Sequence, residues 1–119
     1  NDKYEEYLGI RPSNDTEGVL QDMHWAGDYI GYFQSYALGN IYDGQILEAV
    51  KREIPDMEEK IRRGEILPVT EWMEKNIWQY GCCMTAGEMI RKLTGHGLDA
   101  GPFLRYLEQK YLEQKYQAD

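Results

Sequence analysis

The stretch from Gly18 to Tyr36, GVLQDMHWAGDYIGYFQSY, is the most informative part of this chain. It brings glutamine, aspartate, histidine, tryptophan and three tyrosines together in one short segment. Such side chains are costly to bury unless they find hydrogen-bond partners, and they are well suited to handling a polar ligand. The interpretation of both fold and function therefore starts from this segment.

The segment also resembles a known motif. Residues 18–25 have the form G-x-x-Q-D-x-H-W, which is typical of the carboxypeptidase Taq family of zinc metallocarboxypeptidases with an HExxH active site. The similarity continues in YLGI at residues 7–10, YALGN at residues 36–40 and FLRYL at residues 103–107. The resemblance thus extends over nearly the whole chain.

The resemblance implies that the chain is the C-terminal part of a larger, mostly helical enzyme that removes C-terminal amino acids from peptides. The sequence has no HExxH, and its two histidines are His24 and His96. We therefore expect zinc to be bound by a missing upstream part and not by this chain. The piece itself is expected to form one wall of the peptide cleft and to be inactive alone. The alternative is a non-catalytic helical interaction module derived from such an enzyme.

Two residues are candidates for the chemistry. The chain is also similar to the wider oligopeptidase pattern H-x-x-G-x-x-x-G-x-x-x-x-Y, through His24, Gly27, Gly31 and Tyr36. The resemblance implies that His24 donates a hydrogen bond to the substrate backbone or the developing oxyanion, and that Tyr36 supplies a phenolic donor. Taken by itself, a histidine beside a tryptophan is more often a structural residue at intermediate burial.

Three further residues are candidates for substrate binding. Gln21 could contact peptide groups and Asp22 could orient His24, although both could equally bond the local backbone. Arg11 could bind the C-terminal carboxylate of a substrate through two hydrogen bonds, or it could pair with a neighbouring acid.

Composition narrows the remaining classes of function. The 119 residues, 42% of them hydrophobic, predict a single domain. A formal charge of −8 disfavours nucleic-acid binding. No apolar run is long enough to span a membrane, and a cytoplasmic location is expected. Cys82 and Cys83 are adjacent, which predicts reduced structural thiols, with a vicinal redox switch as the alternative.

The spacing of helix breakers predicts an all-α fold with five or six helices. The longest helix is expected from Gly31 to Glu53, with aromatic residues on several sides of its first half. The exposed apolar part of this helix could form a homodimer. Pro68 is expected to open a helix that continues to Tyr80, and Thr85-x-x-Glu88 predicts a capping box. Residues 112–119, which include most of a repeated YLEQK sequence, are expected to fray.

Overall fold

The computed structural model describes residues 1–113, and this part of the chain is all-α, as predicted. It contains six α-helices, joined by turns and short 3-10 segments. They are α1 (Asp2–Leu8), α2 (Gln34–Glu53), α3 (Met57–Arg62), α4 (Leu67–Asn76), α5 (Ala86–Thr94) and α6 (Gly101–Glu108), and a π-helical turn follows at Gln109–Glu113. The predicted fraying of residues 112–119 falls largely outside the described residues.

The chain divides into two compact units, one comprising Asn1–Ala37 and the other beginning at Leu38. The first unit contains α1, two 3-10 turns at Val19–Gln21 and Trp25–Gly27, and the start of α2. Its large apolar side chains are mostly exposed, and Ile30 reaches 85%. The single-domain expectation stays a prediction.

The second unit has a hydrophobic core. Ala49 and Val50 of α2 pack with Met57 of α3 and Trp72 of α4, and all four are buried. Ile90 of α5 is also buried, and Leu93 packs against the core cluster. Helical spacing of Leu47, Val50 and Ile54 predicts one apolar face on the second half of α2. This prediction is confirmed, because Leu47 and Ile54 pack against the cluster that contains Val50.

Gly44 and Gln45 of α2 contact α6 and the loop that precedes it. A Cβ at residue 44 would stand 2.7 Å from the backbone nitrogen of Phe103, so glycine is required there by the close approach. Gln45 is 1% exposed; its Nε2 donates to the carbonyl of Gly97, and its Oε1 accepts from the N–H of Asp99, each at 3.0 Å. A single buried side-chain amide thus serves both a donor and an acceptor of the loop backbone.

Several helix boundaries differ from the predicted ones. Helix α2 begins at Gln34 and not at Gly31, because Gly31 has a φ of 73° and the chain turns there. Helix α4 ends at Asn76, where Ile77 leaves helical geometry with a φ of −129°, and Trp78–Tyr80 forms a separate 3-10 turn. The capping box of α5 is confirmed: Glu88 N donates to Thr85 Oγ1, and Thr85 N donates to the carboxylate of Glu88.

Two predictions about packing are only partly correct. The low helix propensity of Gly39 and Gly44 predicts a close approach of neighbouring elements at both positions, but a Cβ at residue 39 would meet nothing within 4 Å. Helical spacing predicts an apolar side of α6 formed by Leu104, Leu107 and Tyr111, but Leu104 and Tyr111 are exposed. The side that packs instead contains Pro102, Phe103 and Leu107.

Candidate active site

The motif residues lie in the first unit, in two tight turns that precede α2. Gly18 is buried, and a Cβ added to it would stand 3.1 Å from the Cβ of Pro12. After His24 the chain makes a 3-10 turn that ends at Asp28. Among residues 1–113, Asp28 is the one non-glycine residue with a left-handed backbone, at a φ of 64°. After these turns, Tyr36 in the first turn of α2 lies beside the histidine.

His24 is the centre of an aromatic cluster formed by Tyr32, Phe33 and Tyr36. The ring centroids of all three lie 5.5 Å from the centroid of the imidazole. Tyr29 extends the cluster through its contact with Tyr32, at a centroid distance of 5.5 Å. The structure therefore brings together the two candidate catalytic residues, His24 and Tyr36, although they are twelve positions apart in the sequence.

Asp22 holds His24 through the backbone and through the side chain. Its Oδ1 accepts from the backbone N–H of His24 at 3.0 Å and lies 2.6 Å from Nδ1 of the ring. The pKa of the Asp22 carboxyl is lowered, first by the backbone hydrogen bond from His24 and then by the bond to its ring. The indole Nε1 of Trp25 donates to the carbonyl of Asp22, which fixes the same turn from its other side.

Gln21 and Arg11 have local partners. The side chain of Gln21 donates to the carbonyl of Thr16 at 2.5 Å. Arg11 forms ion pairs with Asp2 and Glu5 of α1, at 2.9 and 2.8 Å, and its side chain is half-exposed. Both contacts correspond to the structural alternatives for these residues, and their substrate-binding roles stay predictions.

A cleft of about 630 Å³ lies within the first unit, next to the Asp22–His24 pair. Its lining is mainly apolar and aromatic, with the polar groups of Gln21 and Asp22 among them. The other lining residues are Asn1, Lys3, Tyr4, Leu8, Gly18, Val19, Trp25 and Phe33. Sequence reasoning missed Lys3 and Tyr4, because no motif marks α1 as a neighbour of the turn at residues 18–25.

Residues 1–113 contain no group of three or more His, Cys, Asp or Glu side chains that could hold a metal ion. The catalytic metal of a metallopeptidase would therefore have no complete ligand set among the described residues.

Cys82 and Cys83 are free and exposed. In residues 1–113, no helix combines the length and the apolar character needed to cross a membrane.

A sequence profile of the Carboxypeptidase Taq (M32) metallopeptidases matches residues 1–111. The chain belongs to the carboxypeptidase Taq family. Among similar proteins are thermostable carboxypeptidase 1 of Pyrococcus furiosus, 40% identical over 112 residues, and carboxypeptidase 1 of Bacillus subtilis, 39% identical over 111 residues. These matches cover 94% and 93% of this chain but 22% of each relative, so the chain spans about a fifth of their length.

Solved structures of carboxypeptidase Taq family members have the same fold over this region. The Pyrococcus furiosus carboxypeptidase matches with a TM-score of 0.87 at 40% identity, over 94% of this chain and 22% of that one. The Trypanosoma cruzi metallocarboxypeptidase 1 matches with a TM-score of 0.86 at 36% identity, over 94% of this chain and 23% of that one. The family assignment thus rests on sequence and on backbone geometry, and it implies a metal cofactor.

Proposed function

We propose that this chain is the C-terminal region of a zinc metallocarboxypeptidase that removes C-terminal amino acids from peptides. In that enzyme it forms part of the wall of the peptide cleft and contributes His24 and Tyr36 to the site. The observation that carries the proposal is the convergence of these two residues, whose ring centroids are 5.5 Å apart.

Each of the two residues has a distinct chemical task in this proposal. The phenolic hydroxyl of Tyr36 donates to the oxygen of the scissile carbonyl as negative charge develops on it. The ring of His24, held by Asp22 through Nδ1, offers its other nitrogen to the peptide backbone. The rings of Tyr32 and Phe33 contact the imidazole and help to hold it in place.

The metal belongs to sequence outside this chain in the proposal, since the described residues provide no ligand set for it. Zinc is the metal that the family resemblance favours. The contribution of this chain is therefore restricted to hydrogen bonding and orientation at the cleft. A cytoplasmic location of the enzyme stays a prediction of the sequence.

A chimera tests the proposed function directly. The segment of Pyrococcus furiosus carboxypeptidase 1 that matches this chain is replaced by the corresponding residues of this chain, and release of C-terminal amino acids from peptides is measured. The expected result is a carboxypeptidase whose turnover falls strongly when His24→Ala and Tyr36→Phe are introduced together. A chimera that folds, binds its metal and retains full turnover with both substitutions would contradict the proposal.

A further inference from the structure

The contacts between Asp22 and His24 determine where the proton of the imidazole lies. The carboxylate oxygen Oδ1 is 2.6 Å from Nδ1 and also accepts from the backbone N–H of His24. An ionised carboxylate has no hydrogen to donate, so the close contact requires that Nδ1 carries the proton. The lowered pKa of Asp22 keeps its carboxylate ionised at neutral pH.

The same contacts favour one orientation of the ring. The indole of Trp25 donates to the backbone carbonyl of Asp22 and holds the turn that carries both residues. The imidazole lies among Tyr32, Phe33 and Tyr36, and a ring flipped over about its Cβ–Cγ bond would lose the 2.6 Å contact between Nδ1 and Asp22. The ring therefore has one favoured orientation, with Nδ1 toward Asp22.

The second ring nitrogen, Nε2, makes no hydrogen bond to residues 1–113 in this orientation, and the side chain of His24 is 22% exposed. In the neutral imidazole, a proton on Nδ1 leaves Nε2 with a lone pair, so that Nε2 accepts a hydrogen bond. A peptide group presents one N–H donor and one carbonyl acceptor. The hydroxyl of Tyr36 can donate to the carbonyl, and Nε2 of His24 can accept from the N–H.

We propose that Asp22 is a positioning residue, which holds neutral His24 as the Nδ1–H tautomer so that Nε2 accepts a hydrogen bond from a substrate N–H. This inference rests on the proposed function and refines it. His24 is an acceptor for the peptide backbone, and the donor to the developing oxyanion is Tyr36. In this assignment Asp22 acts through His24.

The first experiment determines the tautomer in the chain itself. Nitrogen NMR of the histidine-labelled chain distinguishes protonated from bare ring nitrogens at a pH where both histidines are neutral. The expected result is a protonated Nδ1 and a bare Nε2 in His24, with both signals moving toward averaged values in Asp22→Ala. The signals of His96 should stay unchanged and serve as the internal reference. A bare Nδ1 in the unsubstituted chain, or a spectrum that Asp22→Ala leaves unaltered, would overturn the assignment.

The second experiment asks whether Asp22 acts through His24, using the chimera described above. Asp22→Ala should lower kcat/KM by about 10- to 100-fold, as expected for a group that orients a functional histidine. In the His24→Ala background the same substitution should have little further effect. Equal losses in both backgrounds would assign Asp22 a separate structural role. Asp22→Asn, which keeps an oxygen in nearly the same place, provides the same cycle if the alanine variant does not fold.

The third experiment identifies the donor on the substrate. A series of peptides has one backbone N–H at a time replaced by an ester oxygen. At the position that His24 contacts, the loss caused by His24→Ala should be roughly 5- to 10-fold smaller for the ester than for the peptide, since one hydrogen bond is already absent. Equal losses for every member of the series would rule out the acceptor role. An inactive chimera would count against the proposed function, while the NMR result would still decide the role of Asp22.

Discussion

The hydroxyl of Tyr36 can be removed without disturbing the rings that surround His24. In the chimera, Tyr36→Phe should lower kcat by about 100-fold or more, with little change in KM, because the donor acts on charge that appears in the transition state. Steady-state kinetics and a thermal melt measure both effects. Near-full kcat combined with a melting temperature several degrees lower would show that Tyr36 is structural.

Tyr29 provides the matched control for this substitution. It belongs to the same aromatic cluster through Tyr32, and its side chain is exposed. Tyr29→Phe removes a phenolic hydroxyl from the same aromatic cluster and should leave kcat unchanged. A similar loss in both variants would mean that the cluster, and not the individual phenol of Tyr36, supports turnover.

At the residue scale, the family resemblance pointed to His24 and Tyr36, which the structure brings together, but the sequence did not determine the partners of long polar side chains. Arg11 could reach a ligand or a neighbouring acid, and the structure pairs it with Asp2 and Glu5. The difference depends on the direction in which the loop after α1 leaves the helix. That direction is set by Gly9, whose φ is 71°, and glycine permits this turn without specifying where the next residues lie.

At the level of secondary-structure elements, Gly39 and Gly44 of α2 allow a comparison of an open and a crowded glycine. Gly44→Ala should destabilise the second unit by about 1 to 3 kcal/mol, because the added methyl group would overlap the backbone of Phe103. Gly39→Ala should instead stabilise the chain by up to about 1 kcal/mol, since alanine has the higher helix propensity and residue 39 is open. Chemical denaturation of both variants measures the difference. The same sign of change for both would contradict the described helix contact.

The capping box of α5 gives a second prediction at this scale, and it depends on pH. The pKa of Glu88 is lowered, mainly by the backbone N–H of Thr85 and then by the Thr85 hydroxyl. A lowered folded-state pKa stabilises the chain above the unfolded value and loses that contribution as pH falls through the folded-state pKa. The difference in unfolding free energy between the unsubstituted chain and Glu88→Gln, measured by chemical denaturation at several pH values, should therefore shrink as the pH falls below about 4.5. This is the ordinary pKa of the carboxyl.

The cap itself can be tested at constant pH. Thr85→Ala removes the hydroxyl that accepts from Glu88 N and should cost about 1 kcal/mol of unfolding free energy. Thr70→Ala is the control, because its hydroxyl donates within α4 to the carbonyl of Leu67 and caps no helix start. Equal costs for the two substitutions would argue against a special role for the box.

Local signals explain which elements the sequence could predict. The capping box was identified because its residue types and spacing suffice to define the local hydrogen bonds. The start of α2 and the end of α4 were misplaced because glycine at position 31 is compatible with both a helix and a turn, and Ile77 fits the helical pattern. The backbone angles of both residues depend on the surrounding structure. Gly39 and Gly44 look alike in sequence, and Phe103 approaches one and not the other.

For the whole molecule, we expect the isolated chain to hydrolyse no peptides and to bind zinc weakly. Residues 1–113 contain no group of three or more potential metal ligands, and tight zinc sites use three or four protein ligands. Titration calorimetry with zinc and an assay of released amino acids test both parts. Peptidase turnover that persists after contaminating proteases have been excluded would contradict this expectation.

The exposed apolar side chains of the first unit predict association of the isolated chain. Ile30, Met23 and Tyr7 are 85%, 76% and 72% exposed, which favours binding of a hydrophobic dye and formation of a homodimer. Sedimentation at increasing concentration should show self-association that Ile30→Glu weakens. Ile66→Glu, at a position in the second unit that is 58% exposed, is the control and should have a smaller effect. A monomer at high concentration without dye binding would refute the prediction.

The amide of Gln45 has a consequence for how the second unit responds to its solvent. The carbonyl of Gly97 needs a donor and the N–H of Asp99 needs an acceptor, and the carboxamide supplies both without carrying charge. Ion pairs on the surface, such as Arg105 with Glu48, weaken as salt rises. The hydrogen bonds of the buried amide carry no net charge to be screened or titrated. The loop before α6 should therefore stay bonded to α2 at high salt concentration and in mild acid.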